Sequence, residues 1–171
     1  TRCSNNYGPR QYPEKLVPLF VTNAIEGEPL PVYGTGLNTR DWIHVEDHCA
    51  ALAELLVHPG IEGETFNIGA GHELDVLTIT DTILKLLGKP KNLIRHVEDR
   101  PGHDRRYALD VSKLERLAGW KPRIAFEDGI RRTVEWFRDN EAWWKPIKQG
   151  EFRAYYVRMY GQRKVLKEVR T

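Results

Sequence analysis

The sequence is poor in features that mark several classes of protein. Only two cysteines, Cys3 and Cys49, occur among 171 residues, and they form no Cys-x-x-Cys pair. This excludes a disulfide framework and a cysteine-based zinc site, and we expect two buried free thiols in a cytoplasmic protein. No apolar run approaches the roughly 20 residues needed to cross a bilayer, so we expect no membrane partner.

A large excess of charge of one sign is also missing. Lys and Arg total 26 against 24 Asp and Glu, which gives a net charge of +2. The two signs are interleaved over most of the chain, whereas nucleic-acid-binding proteins gather basic charge on one face. We therefore expect no nucleic-acid partner. The sequence begins with Thr1 rather than Met, and we expect it to be a fragment of a longer protein.

The residues that are present predict an α/β fold, because strand-like and helix-like segments alternate along the chain. Apolar residues at helical spacing are followed by Gly27, Gly88 and Gly119, which are typical of helix ends. The predicted helices cover residues 14–26, 45–58, 78–87, 112–118 and 126–144. The predicted strands lie in residues 29–34, 39–45, 64–68 and 92–98.

The stretch "DRPGHDRRYALD" (99–110) is a candidate anion-binding loop. Arginine presents planar donors that match phosphate oxygens, and a Pro-Gly turn lets side chains converge. Arg40 is a further candidate. The alternative is a solvated loop in which the arginines pair with Asp99 and Asp104. The residues alone leave both interpretations open.

Two glycine-containing stretches allow a ligand-binding and a structural interpretation. "SNNYGP" (4–9) is either a polar turn or a set of hydrogen-bonding groups at a strand end, where open α/β sheets bind ligands. "NIGAGHEL" (67–74) resembles a dinucleotide-binding loop, but Leu74 stands where a third small residue is needed. The second stretch therefore favours a simple turn.

The stretch "HVEDH" (44–48) places two histidines four residues apart, a spacing that can bind a metal. It lacks the His-Glu start of the zinc-protease motif. A strand-to-helix junction with Asp47 near the cap is the favoured interpretation, and we expect no metal.

Taken in order, these motifs resemble a known family. "RCSNNYGPRQYPEKLVPLF", "LPVYGTGLNTRDWIHVEDHCAAL", "GETFNIGAG", "DRPGHDRRYALD", "GWKP" and "FEDGIRRTVEW" resemble the C-terminal half of the dTDP-glucose 4,6-dehydratases. These enzymes belong to the extended short-chain dehydrogenase/reductase family. The resemblance extends to about Trp144.

The resemblance implies an α/β fold made of the last strands and a helix of a Rossmann sheet plus a small mixed α/β substrate-binding domain. Residues 1–13 and 41–72 would be the remnant of the NAD-binding domain. Residues 14–40 and 73–160 would form the nucleotide-sugar-binding domain, and 161–171 an exposed basic tail.

The family's reaction is implied as well. NAD oxidises C4 of the glucose, water is lost across C5 and C6, and hydride returns at C6, which gives a 4-keto-6-deoxy sugar nucleotide. The family's glycine-rich NAD loop, Tyr-x-x-x-Lys pair and Asp-Glu pair lie upstream of the matched part. Tyr155 does not replace the catalytic tyrosine, because Met159 follows it at the lysine position. We expect no catalytic residue in this chain and no activity of the chain alone.

The matched positions imply a nucleotide-sugar site with one contact to NAD. Asn6 would contact the cofactor, Arg40 and Arg100 the diphosphate, and Pro31, Val32 and Tyr33 the base. The remaining implied substrate contacts are Asn5, Lys15, Leu16, Asn67, Asp99, Pro101, Gly102 and His103.

Two other functions stay open. One is another nucleotide-sugar epimerase, decarboxylase or dehydratase of the same family, and the other is a non-catalytic nucleotide-sugar-binding module. The family implies a homodimeric parent protein. Uncovered strand edges lead us to expect that this chain self-associates.

Overall fold

The computed structural model describes residues 1–161 and 163–166 as alternating strands and helices. The helices are α1 (Leu16–Glu26), α2 (Val45–Val57), α3 (Val76–Leu86), α4 (Ser112–Ala118), α5 (Phe126–Asp139), α6 (Glu141–Gln149) and α7 (Glu151–Tyr160). The strands are β1 (Arg2–Cys3), β2 (Asn5–Tyr7), β3 (Leu30–Tyr33), β4 (Thr39–His44), β5 (Asn67–Ile68), β6 (Glu73–Asp75), β7 (Ile94–Val97) and β8 (Arg106–Tyr107). The predicted α/β class is confirmed.

Strand β4 organises the largest sheet because it is paired along both edges. Its second half pairs in parallel with β2, and its first half pairs antiparallel with β6 and parallel with β8. Two smaller parallel pairs, β1 with β5 and β3 with β7, complete the strand pairing of the described residues. The neighbouring runs 29–34 and 39–45 are strands, as predicted, but they belong to different sheets.

Several helix ends lie where the sequence predicts them. Helix α1 ends at Gly27 and α4 ends at Gly119, and both glycines adopt positive φ angles, of 74° and 64°. Pro18 falls in the first turn of α1, where no intrahelical amide bond is lost. Local signals were sufficient here because a cap depends on only a few neighbouring residues.

Two apolar clusters hold the elements together. The larger one joins α1, α3, α5, α6 and α7 and also takes in Tyr7 and Trp42. The smaller one joins β4, α2, β5 and α4 and is centred on Ile43, Ile68 and Leu114. The proposed division into residues 1–13 with 41–72 and 14–40 with 73–160 stays a prediction.

The prediction that both cysteines are buried is wrong, since Cys3 and Cys49 are both exposed free thiols. Cys3 lies on β1, a two-residue strand paired only with β5 among the described residues. Cys49 lies on the face of α2 that points away from the sheet, whereas Asp47 and Ala51 lie on the buried face. Both thiols are exposed because no described element covers these surfaces.

Four residues of the predicted basic tail lie beside a strand, and the exposed tail itself stays a prediction. Residues 163–166 run antiparallel to β7, with a bridge between Val97 and Val165. The rest of the 161–171 stretch, apart from Gly161, lies outside the described residues. No helix in the part of the chain that the structure describes is long and apolar enough to cross a membrane.

The outer face of α2 carries apolar side chains in solvent. Leu56 is 86% exposed and Val57 is 79% exposed. Cys49, Ala50 and Ala53 share this face, because residues spaced by three, four or seven positions lie on one side of a helix. A face of this composition favours association with another apolar surface.

We predict that the isolated chain self-associates through this face of α2. Leu56→Glu is expected to weaken association by about tenfold or more, because burying a leucine contributes roughly 1.5–3 kcal/mol. Sedimentation velocity over a range of concentrations measures the effect. The control is Leu117→Glu on α4, which changes a 45% exposed leucine outside this face. A wild-type chain that stays monomeric at all concentrations contradicts the prediction.

Candidate functional site

One cavity among the described residues has a volume of about 290 Å³. It lies where the ends of β2, β3 and β4 meet the start of α1, the loop after β7 and helix α7. Eight of the predicted site residues line it, although they are distributed over about 100 positions of the sequence. They are Asn5, Lys15, Leu16, Pro31, Tyr33, Arg40, Arg100 and His103.

The other predicted site residues do not line this cavity. Val32 is fully buried in the larger apolar cluster, because alternate residues of β3 face opposite sides. Asn67 lies on β5, and its side-chain amide donates to the carbonyl of Asp110 at 2.9 Å. Asn6, Asp99, Pro101 and Gly102 also lie outside the lining.

The loop of residues 99–103 is folded around the carboxylate of Asp99. Asp99 Oδ1 accepts from the Arg100 backbone amide at 2.8 Å and lies 2.7 Å from His103 Nδ1. Gly102 has a φ of 66°, a conformation that glycine adopts without strain and that reverses the chain. Asp99 thus acts on the loop itself, and the turn brings Arg100 and His103 to the cavity.

The arginines of this stretch have different surroundings. Arg100 lines the cavity, and none of the ion pairs among the described residues involves its guanidinium. Arg106 forms two hydrogen bonds of 2.6 Å with the carboxylate of Glu73. Arg105 is exposed and contributes its carbonyl to the amide of Thr39 at 3.0 Å. Arg100 therefore fits the interpretation of this stretch as an anion-binding loop. Arg106 instead pairs with a carboxylate, as the alternative interpretation expects of the arginines.

Arg40 is held at the cavity by hydrogen bonds to carbonyl groups and not by pairing with a carboxylate. Its guanidinium donates to the carbonyl oxygens of Thr39 at 2.7 Å and Asp104 at 2.8 Å. The side chain of Asn38, which also lines the cavity, donates to the same Asp104 carbonyl at 3.0 Å. Because its partners are neutral carbonyls, Arg40 leaves a net positive charge beside the cavity.

Two backbone amides of the glycine-rich connection after β5 already bind a carboxylate of the protein. The amides of Ala70 and His72 donate to the two oxygens of Asp41, at 3.1 Å and 3.0 Å. Asp41 is buried, and a Cβ at Gly69 would lie 2.2 Å from its Oδ2. The favoured interpretation of this stretch as a structural turn is confirmed, and glycine is needed because a carboxylate occupies the side-chain position.

The "HVEDH" stretch forms the predicted strand-to-helix junction. His44 caps α2, since its Nδ1 accepts from the Glu46 amide at 3.3 Å. Asp47 instead binds the backbone amides of Arg123 and Ile124, at 3.1 Å and 2.9 Å, which attaches α2 to the segment before α5. Among the residues that the structure describes, no group of three or more His, Cys, Asp or Glu side chains could hold a metal.

Residues 1–133 match the family described as GDP-mannose 4,6 dehydratase. The chain belongs to this family.

Relatives within and beyond the dehydratases show how similar the chain is to known members. A dTDP-glucose 4,6-dehydratase of Streptomyces niveus is 55% identical over 148 residues, which cover 86% of this chain and 44% of that relative. The solved dTDP-glucose 4,6-dehydratase of Bacillus anthracis, in complex with NAD, is 52% identical with a TM-score of 0.80, covering 86% and 46%. A UDP-glucose 4-epimerase of Thermotoga maritima with UDP-glucose is 31% identical with a TM-score of 0.76, covering 82% and 45%. The predicted resemblance to dTDP-glucose 4,6-dehydratases is confirmed, and the chain spans a little under half the length of these relatives.

The family's cofactor can be tested against the surroundings of Asn6, the predicted NAD contact. Asn6 Oδ1 lies 2.8 Å from His48 Nδ1, and Asn6 Nδ2 donates to the Ser4 carbonyl at 3.2 Å. Among the described residues, Ser4 Oγ and Gln11 Oε1 are buried beside it without a hydrogen-bond partner. An amide keeps one further N–H, so this polar end of β2 fits a single contact to a cofactor.

Sequence reasoning missed the residues that α7 contributes to the cavity of this family member. Tyr155, Met159 and Tyr160 all line it. Tyr155 and Met159 are four positions apart and therefore lie on one side of a helix, which was a readable signal, whereas Tyr160 is not in this register. Trp42 was missed as well, and its indole N–H donates to the Leu74 carbonyl at 3.3 Å.

Two buried or partly buried histidines, His44 and His48, lead us to predict that the free energy of unfolding depends on pH. Burial lowers the pKa of His44, and burial also lowers the pKa of His48. Below about pH 6.5 the unfolded chain takes up protons that the folded chain does not, so stability is lost as the pH falls. Above that pH both histidines are neutral in the folded and the unfolded chain, so they do not make the free energy of unfolding depend on pH.

We predict that His44→Asn reduces this loss of stability between about pH 6.5 and 5.5, because asparagine preserves a cap acceptor without titrating. Thermal unfolding at a series of pH values measures the slope, which is independent of any overall loss of stability. His72→Asn, at an exposed position, is the control. An unchanged slope in His44→Asn would rule out His44 as its source.

Proposed function

We propose that this chain is the nucleotide-sugar-binding half of an NAD-dependent dTDP-glucose 4,6-dehydratase, which converts dTDP-glucose to dTDP-4-keto-6-deoxyglucose. The observation that carries the proposal is that Arg40, Arg100 and the aromatic ring of Tyr33 line the same cavity. A nucleoside diphosphate sugar needs both features together, cationic donors for its phosphates and an apolar slot for its base.

The charges of the cavity support binding of a diphosphate. Arg40 and Arg100 contribute two positive charges that no carboxylate among the described residues neutralises. Lys15 is paired with Glu14 at 2.9 Å, and both are partly in solvent, so it contributes less. Guanidinium groups suit this task because their planar donors match pairs of phosphate oxygens.

The remaining residues support a sugar nucleotide in a defined orientation. Pro31 and Tyr33 form an apolar wall suited to a base, and Asn5 offers an amide at the strand end beside Asn6. When bound, NAD supplies the hydride acceptor for the oxidation at C4 and the hydride returned at C6. This chain's residues would hold the base and diphosphate, so that remote binding energy orients the glucose.

A first experiment tests the catalytic side of the proposal with a chimaera. We predict that replacing the aligned part of the Streptomyces niveus relative by residues of this chain preserves formation of a 4-keto product from dTDP-glucose, whereas this chain alone forms none with NAD. Product formation is measured by mass spectrometry. Turnover by the chain alone would overturn the assignment, because the catalytic groups would then have to lie within it.

The same chimaera distinguishes the alternatives. A preference for UDP-glucose over dTDP-glucose would favour another member of the family. A folded chimaera that binds dTDP-glucose with no turnover would favour a non-catalytic binding module.

A second experiment tests the diphosphate site in the chain itself. Arg100→Ala is expected to weaken dTDP binding by roughly 10- to 150-fold, since a hydrogen bond to a charged group contributes about 1.5–3 kcal/mol. Isothermal titration calorimetry measures the affinity. Arg105→Ala is the matched control, because Arg105 is exposed in the same stretch and does not line the cavity. Equal dTDP affinity of Arg100→Ala and the wild type would favour the interpretation of residues 99–110 as a solvated loop.

A further inference from the structure

The loop of residues 99–103, which brings Arg100 to the cavity, has few contacts with the rest of the protein. Asp99 holds the turn from within, through the Arg100 amide at 2.8 Å and His103 Nδ1 at 2.7 Å. Among the described residues, no hydrogen bond of residues 100–103 reaches beyond this loop. The position of Arg100 therefore depends mainly on how the two ends of the loop are held.

The end of the loop that leads to β8 is held by the central sheet. The carbonyl of Asp104 accepts from Arg40 at 2.8 Å and from Asn38 at 3.0 Å. The next carbonyl, of Arg105, accepts from the Thr39 amide at 3.0 Å. These donors lie in β4 or directly before it, so this end of the loop is fixed by the strand that organises the sheet.

The beginning of the loop is held by residues that follow α7. The Glu98 amide donates to the Lys164 carbonyl at 2.9 Å, and the Leu166 amide donates to the His96 carbonyl at 2.8 Å. Residues 163–166 thus run as a short added strand beside β7. Because Glu98 directly precedes the loop, this pairing fixes the chain where the loop begins.

Arg163 connects the end of α7 with the beginning of the loop. Its Nη1 donates to the Glu98 carbonyl at 3.0 Å, and its Nε donates to the Met159 carbonyl at 2.8 Å. The Met159 carbonyl belongs to the last turn of α7, where carbonyls have no partner within the helix. The guanidinium also lies 4.7 Å from the centroid of the Tyr33 ring. These contacts hold the partly buried Arg163 side chain in one place.

We propose that Arg163 is a positioning residue for diphosphate binding, which fixes the Glu98 carbonyl and with it the loop that brings Arg100 to the cavity. This inference rests on the proposed function and adds a residue outside the cavity lining. A loop that is ordered before the ligand arrives loses less conformational entropy on binding. Without the hydrogen bond to Glu98, part of the binding free energy would be used to order the loop, and the affinity would fall.

The experiment measures the affinity for pyrophosphate, a probe without a base, so that contacts to a base do not enter the comparison. Arg163→Met keeps a long side chain without donors and is expected to weaken binding by roughly 2- to 12-fold, the range that one hydrogen bond contributes. Titration followed by ³¹P NMR measures affinities down to the millimolar range. Arg158→Met is the matched control, because it removes an exposed guanidinium of α7 that lies against the Tyr155 ring, and it should bind like the wild type.

Two further readouts distinguish positioning from direct binding and from a general loss of stability. In an Arg100→Ala background, Arg163→Met should cause no further loss of pyrophosphate affinity, because Arg163 acts through Arg100. Hydrogen exchange of the Arg100 amide, measured by NMR without ligand, should be roughly 2- to 12-fold faster in Arg163→Met than in the wild type. Exchange of the Ile43 amide in β4 should be unchanged.

The outcomes separate this inference from the proposed function. If Arg163→Met binds pyrophosphate like the wild type while Arg100→Ala does not, the positioning role is wrong and the proposed function stands. An equal loss of affinity with and without Arg100 indicates a direct ligand or a long-range charge and overturns the inference. Unchanged exchange at Arg100, or equally faster exchange at Ile43, also overturns it. A wild-type chain that binds neither pyrophosphate nor dTDP overturns both.

Discussion

Pairing of β4 along both edges is the constraint on which the site depends. Its partner β2 places Asn5 at the cavity, and β4 itself carries Arg40 and Trp42. The short strand β8 pairs with Thr39 and Arg40, which fixes the end of the stretch that contains Arg100. A shift of this strand by one residue would turn Arg40 to the opposite face, because side chains alternate along a strand. Backbone pairing thus sets the positions of the cationic groups.

Buried carboxylates support this arrangement by satisfying backbone amides. Asp41 accepts from the connection after β5, and Asp47 accepts from the segment before α5. Asp41 lies on β4 and Asp47 in the first turn of α2, which follows β4, so each attaches a distant part of the chain to this strand–helix unit. A buried carboxylate is stable when several donors surround it, and here the donors are main-chain amides.

Much of the fold can be predicted from local patterns in the sequence, whereas only part of the candidate site can. Gly27 and Gly119 could be read as helix ends because a cap involves a few adjacent residues. The sequence could also have predicted that Val32 and Tyr33 point to opposite faces of β3, since side chains alternate along a regular strand. The position of Tyr160 beside Tyr33 could not, because it depends on how α7 packs over more than 100 intervening residues. The exposure of Cys49 had the same cause, since burial depends on which elements cover a helix.

The side chains of the described cavity suit the binding of an anionic ligand. Its acidic side chain, Glu14, is paired with Lys15, and the imidazole of His103 is held by Asp99. Arg40 and Arg100, in contrast, keep their charge and line the space directly. A site with two guanidinium groups that no described carboxylate neutralises, and with aromatic walls, can fix a charged, flat ligand in one orientation. Under the proposed function, the part played by these residues is to fix the distance and angle at which the substrate meets the catalytic groups.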